Sequence, residues 1–435
     1  MKGCEKMIIH VVKPNETLFS ISSVYGLSPS FIQNINQLPN PESLVVGQAL
    51  LILYPKITHT VMQGETLNSI AQLYSVSTIS LIRNNPQLKN TNYIAPGKLI
   101  VIAYENQNEL DRDVIINAYT YANLGESYVK SVMPYLTYVT SFTYGINKDG
   151  SLIPVDDAIV IETARAYGVL PLMHLSTLTE EGVFSNALAG FILNDTQLQQ
   201  KIIENILAEI KEKGYAGLDI DFEFLPAENS ADYAVFVGNI TKALNNEGYI
   251  VIVALAPKTS AQQKGLLYEG HDYLALGSAA NYAFVMTYEW GYTYGPPMAV
   301  APIQSVENVL KYAISEIPPY KILMGIPSYG YNWTLPYIQG ETKAISISNI
   351  TAIETAVKYG AEIFFDEFSQ TPYFYYTDEN GLVHEVWFED VRSIYAKLSL
   401  IKKYDLAGGG YWNLERPFPQ NWMTLNQIYN IAQIK

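Results

Sequence analysis

Beyond residue 104 the chain alternates short apolar runs with longer stretches whose apolar residues recur every three or four positions. The runs at 114–122, 136–145, 169–176, 217–224, 249–257, 281–288, 321–327 and 407–413 predict strands. The periodic stretches at 156–167, 195–213, 229–247, 303–316 and 391–404 predict helices, and Asp195 ahead of Thr196-Gln197-Leu198 reads as an N-cap. Eight strands with helices between them fit an α/β fold of the (β/α)8 TIM-barrel type. A doubly wound sheet is the competing fold, but no glycine-rich phosphate loop follows the first strand. Between strands seven and eight, about 331–390 is too long for one helix. Within it Pro372-Tyr373-Phe374-Tyr375-Tyr376 and Val383-His384-Glu385-Val386-Trp387-Phe388 flank Asn380-Gly381, a hairpin signal. The segment predicts a small α+β insertion that walls one side of a cleft.

Strand four carries the chemistry. Gly217-Leu218-Asp219-Ile220-Asp221-Phe222-Glu223-Phe224 alternates acids with apolar residues. Alternate side chains of a strand share a face, so Asp219, Asp221 and Glu223 project together, and Leu218, Ile220, Phe222 and Phe224 project the other way. Three buried acids side by side are costly unless they are partnered or protonated. The competing reading, a solvated edge strand, conflicts with the helices predicted on either side. In a barrel the strand would end at Glu223, at the C-terminal mouth where catalytic groups sit. Asp221 and Glu223 then lie about 6–7 Å apart by strand rise. That spacing admits the acid and nucleophile of a two-carboxylate retaining glycosidase, whose carboxyls stand about 5–5.5 Å apart.

The first hundred residues hold a repeat. His10-Val11-Val12-Lys13-Pro14-Asn15-Glu16-Thr17-Leu18 recurs as His59-Thr60-Val61-Met62-Gln63-Gly64-Glu65-Thr66-Leu67. Leu18, Ile21, Tyr25 and Ile32 keep helical spacing in the first copy, and Leu67, Ile70, Tyr74 and Leu81 keep it in the second. Each copy continues through Asn36 or Asn85, a polar loop, Gly47 or Gly97, and an apolar strand. The unit is strand, two helices, strand. This pattern resembles the LysM domain over 8–55 and 57–104, and the resemblance implies binding of N-acetylglucosamine polymers such as peptidoglycan and chitin. It places sugar along Pro14–Thr17 with Leu38–Pro41, and along Gln63–Thr66 with Leu88–Asn92. Thr17 and Thr66 are also expected to cap helices. Two weak sites on one chain would add avidity on a repetitive polymer.

Composition narrows the partners. A net charge of −15 argues against nucleic acid. The charge is uneven: residues 1–104 carry seven Lys/Arg against four Asp/Glu, so the excess of acid lies in the barrel. The 34 tyrosines suit surfaces that stack on sugars. Cys4 is the only cysteine, which excludes an intrachain disulfide or a cysteine metal cluster. No apolar stretch near Met1 has the length of a signal peptide, and none elsewhere has the length of a membrane span. His174 on strand three has no other histidine at ligand spacing, so it is expected to satisfy a buried hydrogen bond, and neither metal nor cofactor is expected.

Over 105–435 the motifs resemble glycoside hydrolase family 18. Asp219-Ile220-Asp221-Phe222-Glu223 is similar to its DxDxE core, Met286-Thr287-Tyr288-Glu289 to its strand-six MxYD motif, and Gly410-Tyr411-Trp412 to its strand-eight tryptophan, while the insertion stands in the usual place. The resemblance implies catalysis assisted by the substrate's own 2-acetamido group. By position, Glu223 would be the general acid and then the base, and Asp221 would hydrogen-bond the acetamido nitrogen. Asp219 would share a proton with Asp221, Tyr288 would hold the acetamido carbonyl, and Trp412 would floor the −1 sugar. Tyr329 and Trp333 are candidate sugar platforms, and Glu289 is a candidate substrate contact. The chain departs from the family at Ala216, Phe222 and Glu289, and strand three reads Leu172-Met173-His174-Leu175-Ser176 in place of the Ser-x-Gly-Gly run of many chitinases. These departures weaken a chitinase assignment and leave Glu223 untouched. Two LysM units before such a barrel resemble spore-associated peptidoglycan hydrolases, including cortex-lytic N-acetylglucosaminidases. That implies association with the spore cortex, coat or wall after synthesis in the mother cell. Chitinase and a non-catalytic wall-binding protein are the alternative functions.

Overall fold

The computed structural model describes residues 7–88, 94–107, 112–179 and 183–434. Eight parallel strands close a barrel: Asp113–Tyr121, Tyr138–Ile146, Leu170–Ser176, Gly217–Asp221, Ile250–Leu255, Tyr282–Val285, Ile322–Pro327 and Gly408–Trp412. Each pairs with the next in chain order, and the eighth returns to the first through Gly408–Ile115 to Tyr411–Ala118. The helices expected between them form at Ala158–Ala166, Thr196–Lys213, Ser230–Asn245, Ile303–Glu316 and Val391–Lys403. Asp195 caps the second of these, accepting from the amides of Gln197 and Leu198 at 3.0 Å.

Two strands stop earlier than their apolar pattern suggests, and both stops shape the cleft. Strand four ends at Asp221 rather than at 224. Phe222 stays buried, stacked on Tyr233 at 5.6 Å and 5°, but Phe224 takes a left-handed φ of 56° and is exposed. The regular alternation therefore breaks after Phe222, because the chain must leave the barrel wall to enter its helix and a positive φ supplies the turn. Strand six ends at Val285, where Thr287 N bonds Val285 O and Tyr288 N bonds Met286 O at 2.8 and 2.9 Å. Such i to i+2 bonds are tight γ-type turns. They coil Met286–Glu289 over the barrel mouth.

The insertion is a five-stranded antiparallel sheet in the order Ile345–Ser348, Tyr329–Thr334, Val383–Trp387, Thr371–Thr377, Phe364–Asp366. Helix Asn349–Tyr359 covers one face through Ala352, Ala356, Phe374 and Val386. The Asn380-Gly381 hairpin forms as expected, with Gly381 at φ 80°. The sheet begins at Tyr329, two residues ahead of the expected start.

Both N-terminal units are strand–helix–helix–strand. Thr17 and Thr66 cap their first helices, each accepting from the amide three residues on at 3.1 Å. Glu16 and Glu65 are tied inward to His10 and His59 at 2.8 and 2.7 Å. The doubled Glu-Thr register thus has a structural purpose in both copies. Leu38 is buried, while Pro39 and Asn40 border a cavity of about 420 Å³ shared with the insertion helix. Of the second glycan loop expected at Leu88–Asn92, only Leu88 is described, and it is buried.

The two units pack against the barrel's last helix, Pro419–Ile428. Gln420 donates to Asn36 Oδ1 and the Ala49 carbonyl at 2.8 and 3.0 Å, Asn426 to Asn84 Oδ1 at 2.8 Å, and Gln427 to the Glu105 carbonyl at 2.9 Å. Ile35, Leu51, Leu53, Val101 and Tyr104 share one apolar cluster with Val391 and Met423. Gly47 sits against the insertion, where an added Cβ would run into the Ile363 carbonyl, whereas the matching Gly97 faces open space. Both have left-handed φ, 86° and 84°. Gly97→Ala should therefore cost about 1–2 kcal/mol for the backbone alone. Gly47→Ala should cost clearly more and expose the insertion–module junction to limited proteolysis. Equal losses in thermal unfolding of the two variants would contradict this docking.

Candidate active site

The ends of strands four and six and the tip of strand eight surround a cavity of about 590 Å³. Asp221, Glu223, Met286, Tyr288, Glu289 and Trp412 line it, together with Tyr119, Phe142 and Phe284 from the barrel wall and Phe184 from the segment after strand three. The far rim comes from the loop after strand five, through Thr259, Gln263 and Tyr268.

The three acids of strand four occupy three environments. Asp219 is wholly buried; Tyr119 donates its hydroxyl to Oδ2 at 2.6 Å, and Oδ1 has no partner. Burial pushes its carboxyl up to about 6, with Asp221 adding to the rise and His174 and Tyr119 opposing it. Asp221, the last residue of the strand, is 6% exposed and reaches the cavity, with Oδ2 3.6 Å from His174 Nε2. Glu223 stands two residues beyond the strand and is half-buried. Burial raises its carboxyl to about 8, and the negative charges of Asp221 and Glu289 push the same way. At neutral pH this group holds its proton.

Tyr288 is buried, and desolvation followed by Asp221, Glu223 and Glu289 lifts its hydroxyl well above the ordinary tyrosine value, so it stays a donor. Trp412 ends strand eight beside Pro327 and is wedged among Tyr119, Phe142 and Tyr121 at 5.6, 5.0 and 6.3 Å. Its ring is half-buried and lines the cavity.

Glu289 lies on the rim with a left-handed φ of 68°. Its carboxylate accepts from Tyr329 at 2.5 Å and Tyr331 at 3.1 Å. Crowding by protein raises this acid, and the two hydroxyls pull it back. Two expected sugar platforms are thereby corrected. Tyr329 is 4% exposed and directs its hydroxyl to Glu289, so it offers no open ring face to a sugar. Trp333 is fully buried, with Nε1 donating to the Gly295 carbonyl at 2.8 Å, so it packs the insertion onto the strand-six loop.

Several residues of the site were not singled out from the sequence. Tyr119 shares the inward alternation of strand one with Asn117, and only barrel closure shows that this face meets Asp219. Phe142 lies within strand two, Phe184 in the segment after strand three and Tyr268 in a short helix after strand five, and no local pattern links them. His174 does make the expected buried hydrogen bond, to Thr143 Oγ1 at 2.6 Å, but it also stands beside both aspartates.

Compared with known families, residues 179–416 match Glycosyl hydrolases family 18, and residues 10–52 and 59–103 each match the LysM domain. The chain is 38% identical to the Cortical fragment-lytic enzyme of Bacillus subtilis (strain 168), over 98% of this chain and 99% of that one. It is 37% identical to the protein of the same name from Bacillus anthracis, again over 98% and 99%. Its structure superimposes on the spore cortex-lytic enzyme SleL of Bacillus megaterium QM B1551 with a TM-score of 0.84, at 37% identity and covering 99% of each chain. No helix of the described residues is long and apolar enough to cross a membrane. The family match begins just past strand three and runs through strand eight, so it takes in the whole acid ladder and the tryptophan beneath it, and the chain belongs to glycosyl hydrolases family 18 with two LysM modules ahead of its barrel.

Proposed function

We propose that this protein is a peptidoglycan hydrolase of the spore cortex that cleaves β-1,4 bonds after N-acetylglucosamine, with retention, through the substrate's own acetamido group. The observation that carries this reading is Glu223: a half-buried carboxyl raised to about 8 at the mouth of a cavity floored by Trp412. A general acid must be protonated at working pH, and this one is. Asp221, with Oδ2 3.6 Å from His174 Nε2, is read as a support for the acetamido group rather than as a nucleophile on the sugar.

In this reading Glu223 protonates the glycosidic oxygen as the acetamido oxygen attacks C1. Asp221 accepts the acetamido N–H and stabilises the oxazolinium ion. Asp219 and Tyr119 back it from within. Tyr288 donates to the acetamido carbonyl oxygen, and Trp412 supports the −1 ring. Glu223, now ionised, takes a proton from the water that opens the intermediate. A muramic δ-lactam has its nitrogen tied in a ring and cannot serve, so the −1 sugar must carry an open acetamido group, as N-acetylglucosamine does. The names of the Bacillus relatives support the spore cortex as substrate and as location. The LysM modules would hold the glycan while the barrel cuts it.

On spore cortex fragments the protein should release new reducing ends that are N-acetylglucosamine. Cleavage of chitin oligomers with cortex unchanged would favour the chitinase reading instead. Glu223→Gln should lower kcat by about a thousandfold or more while wall binding persists, since the acid is lost and the modules are not. A parallel loss of binding would contradict the division of labour. The free enzyme's kcat/KM should be sustained below about pH 8 and fall above it, because activity needs protonated Glu223. Removing a neighbouring negative charge lowers an acid's pKa, so Glu289→Gln should move that alkaline limb downward. A limb that stays in place would show that Glu289 does not act on Glu223.

A further inference from the structure

Strand three sets a histidine level with the first acid of strand four: His174 pairs in register with Asp219. The side chain is wholly buried, edge-on to Tyr119 at 5.7 Å and 87° and beside Phe142 at 4.8 Å. Nδ1 lies 2.6 Å from Thr143 Oγ1. That hydroxyl has its own acceptors in Ser176 Oγ at 3.0 Å and the Tyr144 carbonyl at 3.2 Å. Whichever of the two groups supplies the proton, this contact holds Nδ1 against Thr143. The ring is thereby fixed, and its other nitrogen is aimed at Asp221.

Nε2 stands 3.6 Å from Asp221 Oδ2, without a hydrogen-bond partner. Asp221 Oδ1 and Asp219 Oδ1 are likewise buried and unpartnered. Unpaired buried polar atoms are rare, and here one on strand three and two on strand four lie on adjacent strands. The gap to a hydrogen bond is about half an ångström, which a small turn of the Asp221 side chain closes. Satisfying Thr143 alone would need only one polar atom. A histidine adds a second nitrogen on the opposite side, facing a carboxylate that lines the cleft.

We propose that His174 is a positioning residue for Asp221: Nε2 captures Oδ2, and the remaining oxygen is thereby turned to the acetamido N–H of the substrate. In that contact Nε2–H donates to Oδ2. Glu223 alone exchanges protons with the substrate. This inference rests on the role given to Asp221 above.

The test is a double-mutant cycle of His174→Gln and Asp221→Asn on cortical fragments, with kcat and KM measured separately. The affinity of a thiazoline mimic of the oxazolinium ion is measured alongside. His174→Gln should lower kcat about tenfold or more with KM nearly unchanged, and weaken the thiazoline by a similar factor. In the Asp221→Asn background the same substitution should cost nothing further. Thr143→Ala, which keeps the histidine but frees its ring, should lower kcat in the same direction by less. Multiplicative losses in the cycle, or unchanged thiazoline affinity in folded His174→Gln, would overturn the proposal. If His174→Gln does not fold, an unchanged kcat in Thr143→Ala overturns it. Full activity in Asp221→Asn alone would instead overturn the role of Asp221 itself, and this proposal with it.

Discussion

Carboxyl groups crowded at the end of one strand are the constraint around which this barrel is built. Like charges held near one another in a desolvated place cannot all ionise, and the outermost member bears the consequence. Asp219 is sealed in the interior against Tyr119, Asp221 borders both interior and cleft, and Glu223 stands where substrate arrives. Burial, reinforced by that repulsion, is what keeps a proton on Glu223. The fold tolerates Asp219 because Tyr119, on strand one, donates to it in place of solvent.

The rest of the molecule supports that arrangement from outside. Tight turns after Val285 bring Tyr288 and Glu289 over the mouth. The first strand of the insertion then fixes Glu289 with Tyr329 and Tyr331, while Trp333 and Ala344 N bind the strand-six loop at Gly295 and Thr293. The insertion is therefore more than a wall, since it holds the loop that carries one of the charges acting on Glu223. The glycan-binding modules, joined to the last barrel helix and to the insertion, sit at a fixed place relative to the cleft.

Much of this was legible in the residues, and the reasons for the rest are physical. The repeat was readable because the same structural need, a histidine–glutamate tie and a threonine cap, is met twice with the same letters. The acids of strand four stood out because alternation on a buried strand has few explanations. The end of that strand did not, because Phe224 continues the apolar pattern while its backbone has already turned. Trp333 and Tyr329 followed the pattern of a sugar-binding aromatic loop, and only tertiary contact shows that their polar atoms are already spent on Gly295 and Glu289. His174 was legible as a satisfied histidine but not as a neighbour of Asp221, since the register between strands three and four is not written in either strand alone.

The central claim is that burial and its charged neighbours keep Glu223 a protonated acid, and it can be observed without substrate. Carbon-13 NMR of glutamate-labelled protein, with the Glu223 carboxyl assigned by its loss in Glu223→Gln, follows that group through a pH titration. The account expects a midpoint near 8 in the native protein and a lower one in Asp221→Asn. A midpoint near the ordinary glutamate value of 4.5, unmoved by Asp221→Asn, would contradict it.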